Sequence, residues 1–320
     1  MRGLLFIIAA LVLTVASAQA QRVDATIVVD GQNRQFIVVR PSSNPPAGGF
    51  PLVFMFHGSS GDGEKFYNIS GWKELGEREG VVTVFPSSLE VCINEDGQRK
   101  RTTKWNCGEL VSIACEGQTL YDDVRFVRAM VDTITALLPI DRDRIYASGF
   151  SNGGGFTAKL AMEMSDVFSA IAVSAGGLHE LDSVTPPAKV PIAYSTGSLD
   201  DRVTTPAGIP ELPFNDSVLI YTGRIVRRFL GALELEETFE RAQTELTLTY
   251  LWNTPLAGTA PGRFSFTLIK DLGHAYPNGT NSPITAANAF WAFFDANRGT
   301  SAAPSEGALP LELDLTARTE

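Results

Sequence analysis

Past residue 20 the chain alternates short, nearly unbroken apolar runs with stretches whose apolar residues recur every three or four positions. Leu52–Phe56, Val81–Phe85, Ile145–Ala147, Ala170–Val173, Val190–Tyr194 and Phe264–Ile269 are too continuous for half-exposed strands, and predict strands buried on both faces. Two β-branched runs around Asp30-Gly31, at 25–29 and 36–39, predict an antiparallel hairpin ahead of them. Between the runs, Val124, Val127, Val131, Ile134 and Leu138 share one face of a helix over 122–138, opened by Asp122 and Asp123. Further helices are predicted at 66–79, 153–164, 218–230 and 285–294. Apolar strands alternating with helices predict a mostly parallel sheet, here eight-stranded, with helices on both faces. Two segments resist this pattern. Residues 87–120 have no clear period and predict a surface excursion, and 203–262 form an insertion holding the 218–230 helix and a Thr-rich, strand-like piece at 246–251.

The ends of the chain differ from its middle. Arg2, the apolar Leu4–Val15 and the small-x-small Ala18-Gln19-Ala20 predict an export signal over residues 1–20, too short to span a membrane comfortably. The catalytic unit is then expected over 21–297, with a flexible tail over 298–320 rich in Gly, Ser, Pro and acids. A secreted protein, extracellular or periplasmic, with no membrane association after cleavage, is expected. Export permits a disulfide among Cys92, Cys107 and Cys115, and the sequence leaves the three pairings open. A net charge of −10 without a Lys/Arg run argues against a nucleic-acid partner. No histidine lies near the cysteines, so a zinc site is not expected; no cofactor is expected either, and the chain is expected to be a monomer. Asn68, Asn215 and Asn278 each open an N-x-Ser/Thr sequon.

The chemistry concentrates where strands end. Gly149-Phe150-Ser151-Asn152-Gly153 follows the fifth strand and has the G-x-S-x-G pattern of a sharp strand-to-helix turn that presents a serine. A serine hydroxyl needs a base, and the chain has three histidines. Of these only His274, after the last strand, gives the order Ser…Asp…His found in α/β-hydrolases. His57 precedes the serine, and His179 precedes the acid. Asp200, in the turn after the seventh strand, is the expected acid, with Asp201 and Asp271 as alternatives. The backbone amides of Asn152 and Ser59 are the expected oxyanion donors, Gly58 allowing the second loop to turn towards the site and His57 orienting it.

On these residues the chain resembles the polyhydroxybutyrate-depolymerase/feruloyl-esterase type family of secreted α/β-hydrolases. The resemblance is carried by His57-Gly58, Asp122-Asp123-Val124, the extended elbow Arg144–Gly154, the turn Gly197–Asp200 and the turn Gly273–Pro277. It runs over about 45–200 and again over 264–295. It implies the same three residues, Ser151, Asp200 and His274, as a triad. Tyr276 stands where family members often have Trp, Trp105-Asn106 sits in a different cysteine pattern, and 203–262 has no counterpart. These departures bear on the substrate.

The expected activity is hydrolysis of a carboxylic ester through an acyl-enzyme, the ester being a feruloyl, acetyl-sugar or short hydroxyalkanoate, free or attached to a polysaccharide or polyester. A peptidase, an acyltransferase or an inactive binding protein on the same scaffold are the alternatives, since a fold does not choose among them. His57, Trp105 and Tyr276 are candidate substrate contacts, with Trp72 a further aromatic able to stack a ring.

Overall fold

A computed structural model describes residues 20–95, 97–182, 184–204 and 208–298. All of the expected leader except Ala20, and all of the expected tail except Arg298, lie outside these residues. Strands β1 (Gln21–Val29) and β2 (Gln32–Arg40) form the hairpin predicted around Asp30-Gly31. β3 (Phe50–Phe56) follows, then helices α1 (Gly63–Ile69) and α2 (Trp72–Glu79), then β4 (Val82–Pro86). The single helix predicted at 66–79 is two helices, because Gly71 takes a left-handed conformation with φ 78° and breaks the run.

The 87–120 excursion is folded. It contains a separate hairpin of β5 (Glu90–Glu95) and β6 (Gln98–Thr103), then α3 (Gly108–Ile113). A disulfide joins Cys92 to Cys115 and leaves Cys107 as a buried thiol. Next come α4 (Asp123–Leu137), β7 (Ile140–Phe150), α5 (Asn152–Glu163), β8 (Ala170–Ser174) and β9 (Ile192–Gly197). The chain ends with α6 (Asp201–Thr204), α7 (Val218–Leu233), β10 (Glu240–Gln243), β11 (Thr247–Trp252), β12 (Phe264–Ile269) and α8 (Ala286–Ala296).

Among the described residues the main sheet has ten strands rather than eight, in the order β1-β2-β4-β3-β7-β8-β9-β12-β11-β10. The eight predicted strands are present, and the 203–262 insertion extends the far edge with β11 antiparallel to β12 and β10 antiparallel to β11. From β4 to β12 the pairing is parallel. The core lies in two layers, which explains the continuous apolar runs. Leu52, Phe54 and Phe56 of β3 face a layer with Phe126 and Met130 of α4, Phe156 of α5 and Phe229 of α7. Val53 and Met55 face a layer with Phe66, Trp72, Phe290 and Phe294 from α1, α2 and α8. The insertion is therefore part of the scaffold, with Phe229 stacked 4.9 Å from Phe264.

Candidate active site

Ser151 sits between β7 and α5 with φ 53° and ψ −121°, a backbone conformation that costs a non-glycine residue free energy and persists only when its surroundings impose it. Here they do. The Ser151 amide donates to Ser174 O on β8 at 2.8 Å, and Ser151 O accepts from the Gly155 amide at 2.9 Å. A β-carbon on Gly149 would lie 2.2 Å from Gly153 O, so the turn closes only around glycine. The hydroxyl is thereby lifted clear at the carboxyl end of the sheet.

Two further strand ends meet it there. β9 and β12 are parallel neighbours, and the loops that leave them touch: a β-carbon on Gly197 would stand 1.8 Å from Leu272 O. Leu199 N donates to Leu272 O at 2.9 Å, and Asp271 N donates to Ser198 Oγ at 3.0 Å. This pairing brings Asp200 under His274. His274 Nδ1 is 3.0 Å from both Asp200 carboxylate oxygens, and His274 Nε2 is 2.9 Å from Ser151 Oγ. Asp200 is fully buried, and its carboxylate also accepts from Thr196 Oγ1 at 3.0 Å and Arg202 N at 3.1 Å. A buried carboxylate fixed by neutral donors holds the imidazole in the tautomer with hydrogen on Nδ1, leaving Nε2 free to accept from the serine. Phe150 lies with its ring centroid 5.1 Å from that of His274 and packs one side of the imidazole. Asp201 instead opens α6 with its side chain exposed, and Asp271 occupies a turn with φ 56°.

The Gly58–Ser59 loop reaches the same point. A β-carbon on Gly58 would be 3.3 Å from Ser151 Cβ, which places this loop against the elbow with Ser59 half-buried beside it. His57 is fully buried. Ser88 N donates to its Nε2 at 3.0 Å, so Nδ1 carries the hydrogen and donates to Gly58 O at 2.7 Å. Burial pushes its pKa down to about 4, so the ring is neutral. It orders the loop and presents no surface to a substrate. His179 lies away from this cluster, packed over Gly108.

The other two expected substrate contacts are likewise corrected by burial. Trp105 is 0% exposed, stacked on Phe156 at 5.1 Å with its indole N–H donated to His57 O at 2.9 Å. Tyr276 is 4% exposed, and its hydroxyl accepts from Trp72 Nε1 at 3.0 Å. No ring face of either, nor of the fully buried Trp72, is left for a ligand to stack on. What the sequence did not disclose is the set of polar groups that hold the loops: Thr196 on Asp200, Thr102 and Thr103 on the Ser60–Gly61 turn, and Asp123 and Asp182 on the Trp105–Gly108 loop. Asp123 was visible as a helix-opening acid and as part of the Asp122-Asp123-Val124 motif, but not as an anchor of this loop. Among the described residues there is no cluster of three or more His, Cys, Asp or Glu that could hold a metal ion.

A large, mostly parallel sheet covered on both faces, with serine, acid and histidine on the loops after β7, β9 and β12 in that order, defines an α/β-hydrolase fold. Residues 42–189 match the family described as Esterase PHB depolymerase. The chain is 27% identical over 183 residues to feruloyl esterase B of Piromyces equi, covering 56% of this chain and 31% of that one. It is 31% identical over 137 residues to poly(3-hydroxyalkanoate) depolymerase C of Paucimonas lemoignei, covering 41% of this chain and 28% of that one. In structure it is similar to the acetyl xylan esterase from Aspergillus awamori, with a TM-score of 0.54 at 16% identity over 79% of this chain and 94% of that one. The chain spans between 22% and 55% of the length of the curated relatives it matches.

Proposed function

We propose that this protein is an exported serine hydrolase of carboxylic esters, with Ser151 as nucleophile, His274 as base, Asp200 as the acid that orients it, and the amides of Asn152 and Ser59 as oxyanion donors. The observation that carries the reading is the unbroken line from the Asp200 carboxylate through His274 to Ser151 Oγ, at 3.0 and 2.9 Å. Ser151 Oγ attacks the ester carbon as its proton passes to His274 Nε2, and the carbonyl oxygen becomes an oxyanion facing the two amides. Collapse expels the alkoxide, which takes the proton from Nε2 and leaves as the alcohol. Water then repeats the sequence on the acyl-enzyme and releases the acid. Asp200 stays ionised throughout and stabilises the imidazolium.

The substrate is a feruloyl, acetyl-sugar or short hydroxyalkanoate ester, a choice supported by the names of the relatives and of the structural neighbour. Residues 1–20 act as the export signal, 21–297 as the catalytic unit and 298–320 as a tail. A panel of feruloyl esters, acetylated xylan, short p-nitrophenyl esters, polyhydroxybutyrate and a chromogenic peptide tests the reading, with Ser151→Ala beside the unaltered protein. Ester turnover that disappears in Ser151→Ala supports it. Turnover of the peptide alone, or Ser151→Ala keeping more than about 1% of activity, overturns it.

A further inference from the structure

The loop Trp105-Asn106-Cys107-Gly108, between β6 and α3, is fixed more heavily than a connection of its length requires. Its amides are all taken. Trp105 N donates to Asn152 Oδ1 at 2.7 Å, Asn106 N to Asp123 Oδ2 at 2.7 Å, Cys107 N to Trp105 O at 3.0 Å and Gly108 N to Asp182 Oδ2 at 2.6 Å. Asp123 is itself anchored by Arg34 at 2.5 Å, with both side chains buried. The Asn152 carboxamide also returns a hydrogen bond, Nδ2 to Trp105 O at 3.2 Å, so it pairs with both polar groups of one residue. Asn152 directly follows the nucleophile.

The other side of Trp105 reaches the second loop of the site. Its indole N–H donates to His57 O, the carbonyl against which Gly153 of the elbow also closes. The strand leading to it holds the same loop further on. Ser60 N donates to Thr103 O at 3.0 Å, Thr103 Oγ1 donates to Gly61 O at 2.7 Å, and the Ser60 and Thr102 hydroxyls are 2.7 Å apart. Ser59 therefore lies between two tethered points, and Asn152 is tethered by its own side chain. One residue touches both halves.

We propose that Trp105 is a positioning residue for ester hydrolysis, setting the relative placement of the Ser59 and Asn152 amides through its indole on His57 O and its peptide on the Asn152 carboxamide. This rests on the reading of Ser151 as nucleophile and of those amides as oxyanion donors. Such amides gain their full contact only with the tetrahedral oxyanion, so loosening them lowers kcat and leaves ground-state binding alone.

The test uses the full chain with p-nitrophenyl acetate as substrate and phenyl trifluoromethyl ketone as inhibitor. The serine adds to the ketone carbon, and the resulting oxyanion occupies the place of the transition-state charge. Trp105→Phe keeps a ring between Phe56 and Phe156 and deletes the indole N–H. Thr103→Val, half-buried on the hairpin, removes only the bond to Gly61 O. Deleting an oxyanion donor outright costs about 10²–10³ in kcat, and a displaced one costs less. The expected result is kcat down about tenfold for Trp105→Phe and about threefold for Thr103→Val, with KM held within about twofold and inhibitor affinity weakened by the same factor as kcat. Ile134→Val on α4, chosen for a comparable fall in Tm, keeps both kcat and inhibitor affinity. A folded Trp105→Phe with unchanged kcat, or with its loss carried in KM while inhibitor affinity stays put, overturns the proposal. If Trp105→Phe does not fold, the same two measurements on Thr103→Val decide it in the same way. Ser151→Ala separates this from the underlying reading: its retained activity sinks the triad, whereas an inactive Ser151→Ala beside an unaffected Trp105→Phe sinks the positioning role alone.

Discussion

Gly153, two residues after the nucleophile, lies so close under His57 that a β-carbon on it would stand 2.3 Å from the His57 carbonyl oxygen, and 2.4 Å from that of Phe56. The first turn of α5 is pressed directly onto the backbone where β3 ends. Glycine at this position is what lets the elbow and the Gly58–Ser59 loop share one site. Gly153→Ala must push two backbones apart, and neither is a flexible side-chain end. We expect a loss of about 1–3 kcal/mol of stability, the range for overpacking a filled interior, and a fall in kcat of at least about tenfold as the loop retreats. Urea unfolding and ester kinetics on the purified variant check this. Unchanged kcat would show that the two loops need not touch.

At the acid, neighbouring residues make opposed predictions. Asp200 is buried and on the imidazole, while Asp201 opens α6 with its side chain exposed. Asp200→Asn leaves the shape intact but offers an amide in place of the carboxylate, which favours the wrong imidazole tautomer. A fall in kcat of about 10⁴ is expected, with KM little altered. Asp201→Asn is expected to stay within about twofold of the unaltered protein. The reverse pattern would move the assignment one residue along.

How much of this was legible in the sequence follows from what each residue leaves unhidden. Ser151, Asp200 and His274 were readable because they follow apolar strands in a fixed order, and strand ends are where an α/β sheet exposes its loops. β5, β6 and β10 were not. Gln98-Arg99-Lys100-Arg101 and Glu240–Gln243 are almost wholly exposed and carry no apolar alternation, so no period marked them as strands. Trp105 and Tyr276 were misjudged for a different reason. A loop aromatic looks the same in sequence whether it points out or in, and both point in because the polar end of each ring finds a partner there: His57 O accepts from the Trp105 indole, and the Tyr276 hydroxyl accepts from Trp72. The carboxamide of Asn152 was hidden behind its own amide: the elbow pattern needs the backbone there, and says nothing of the side chain.

The cysteines give a prediction that needs no substrate. Cys92 and Cys115 are joined across 23 residues, and Cys107 is a free thiol, 2% exposed, whose pKa burial pushes up to about 12. A buried thiol that stays protonated is neither reachable nor nucleophilic. Ellman's reagent should find no thiol in the native protein, one in concentrated guanidinium and three once a reductant has acted on the unfolded chain. A reactive thiol under native conditions would mean that the Trp105–Gly108 loop opens in solution, or that Cys107 is one of the bonded pair.

His57 gives the last prediction, from the pH dependence of stability. Folded, its pKa is about 4, pushed down from 6.5 by burial against the opposing pull of the Gly58 carbonyl and Asp62. Above pH 6.5 the ring is neutral in both the folded and the unfolded chain and contributes no pH dependence. Between 6.5 and about 4 the unfolded chain binds a proton that the folded chain refuses, so stability must fall as pH falls through this window. Below about 4 both forms are protonated and the contribution levels off. The whole window is worth on the order of 3 kcal/mol. His57→Gln keeps one donor and one acceptor on the side chain and cannot titrate. Its urea-unfolding free energy, measured from pH 7 down to 4, should therefore decline less steeply than that of the unaltered protein. The two proteins differ at this residue alone, so the contributions of all other groups cancel in the comparison. Parallel curves would mean that His57 is protonated in the fold, which Ser88 N, already donating to its Nε2, leaves no room for.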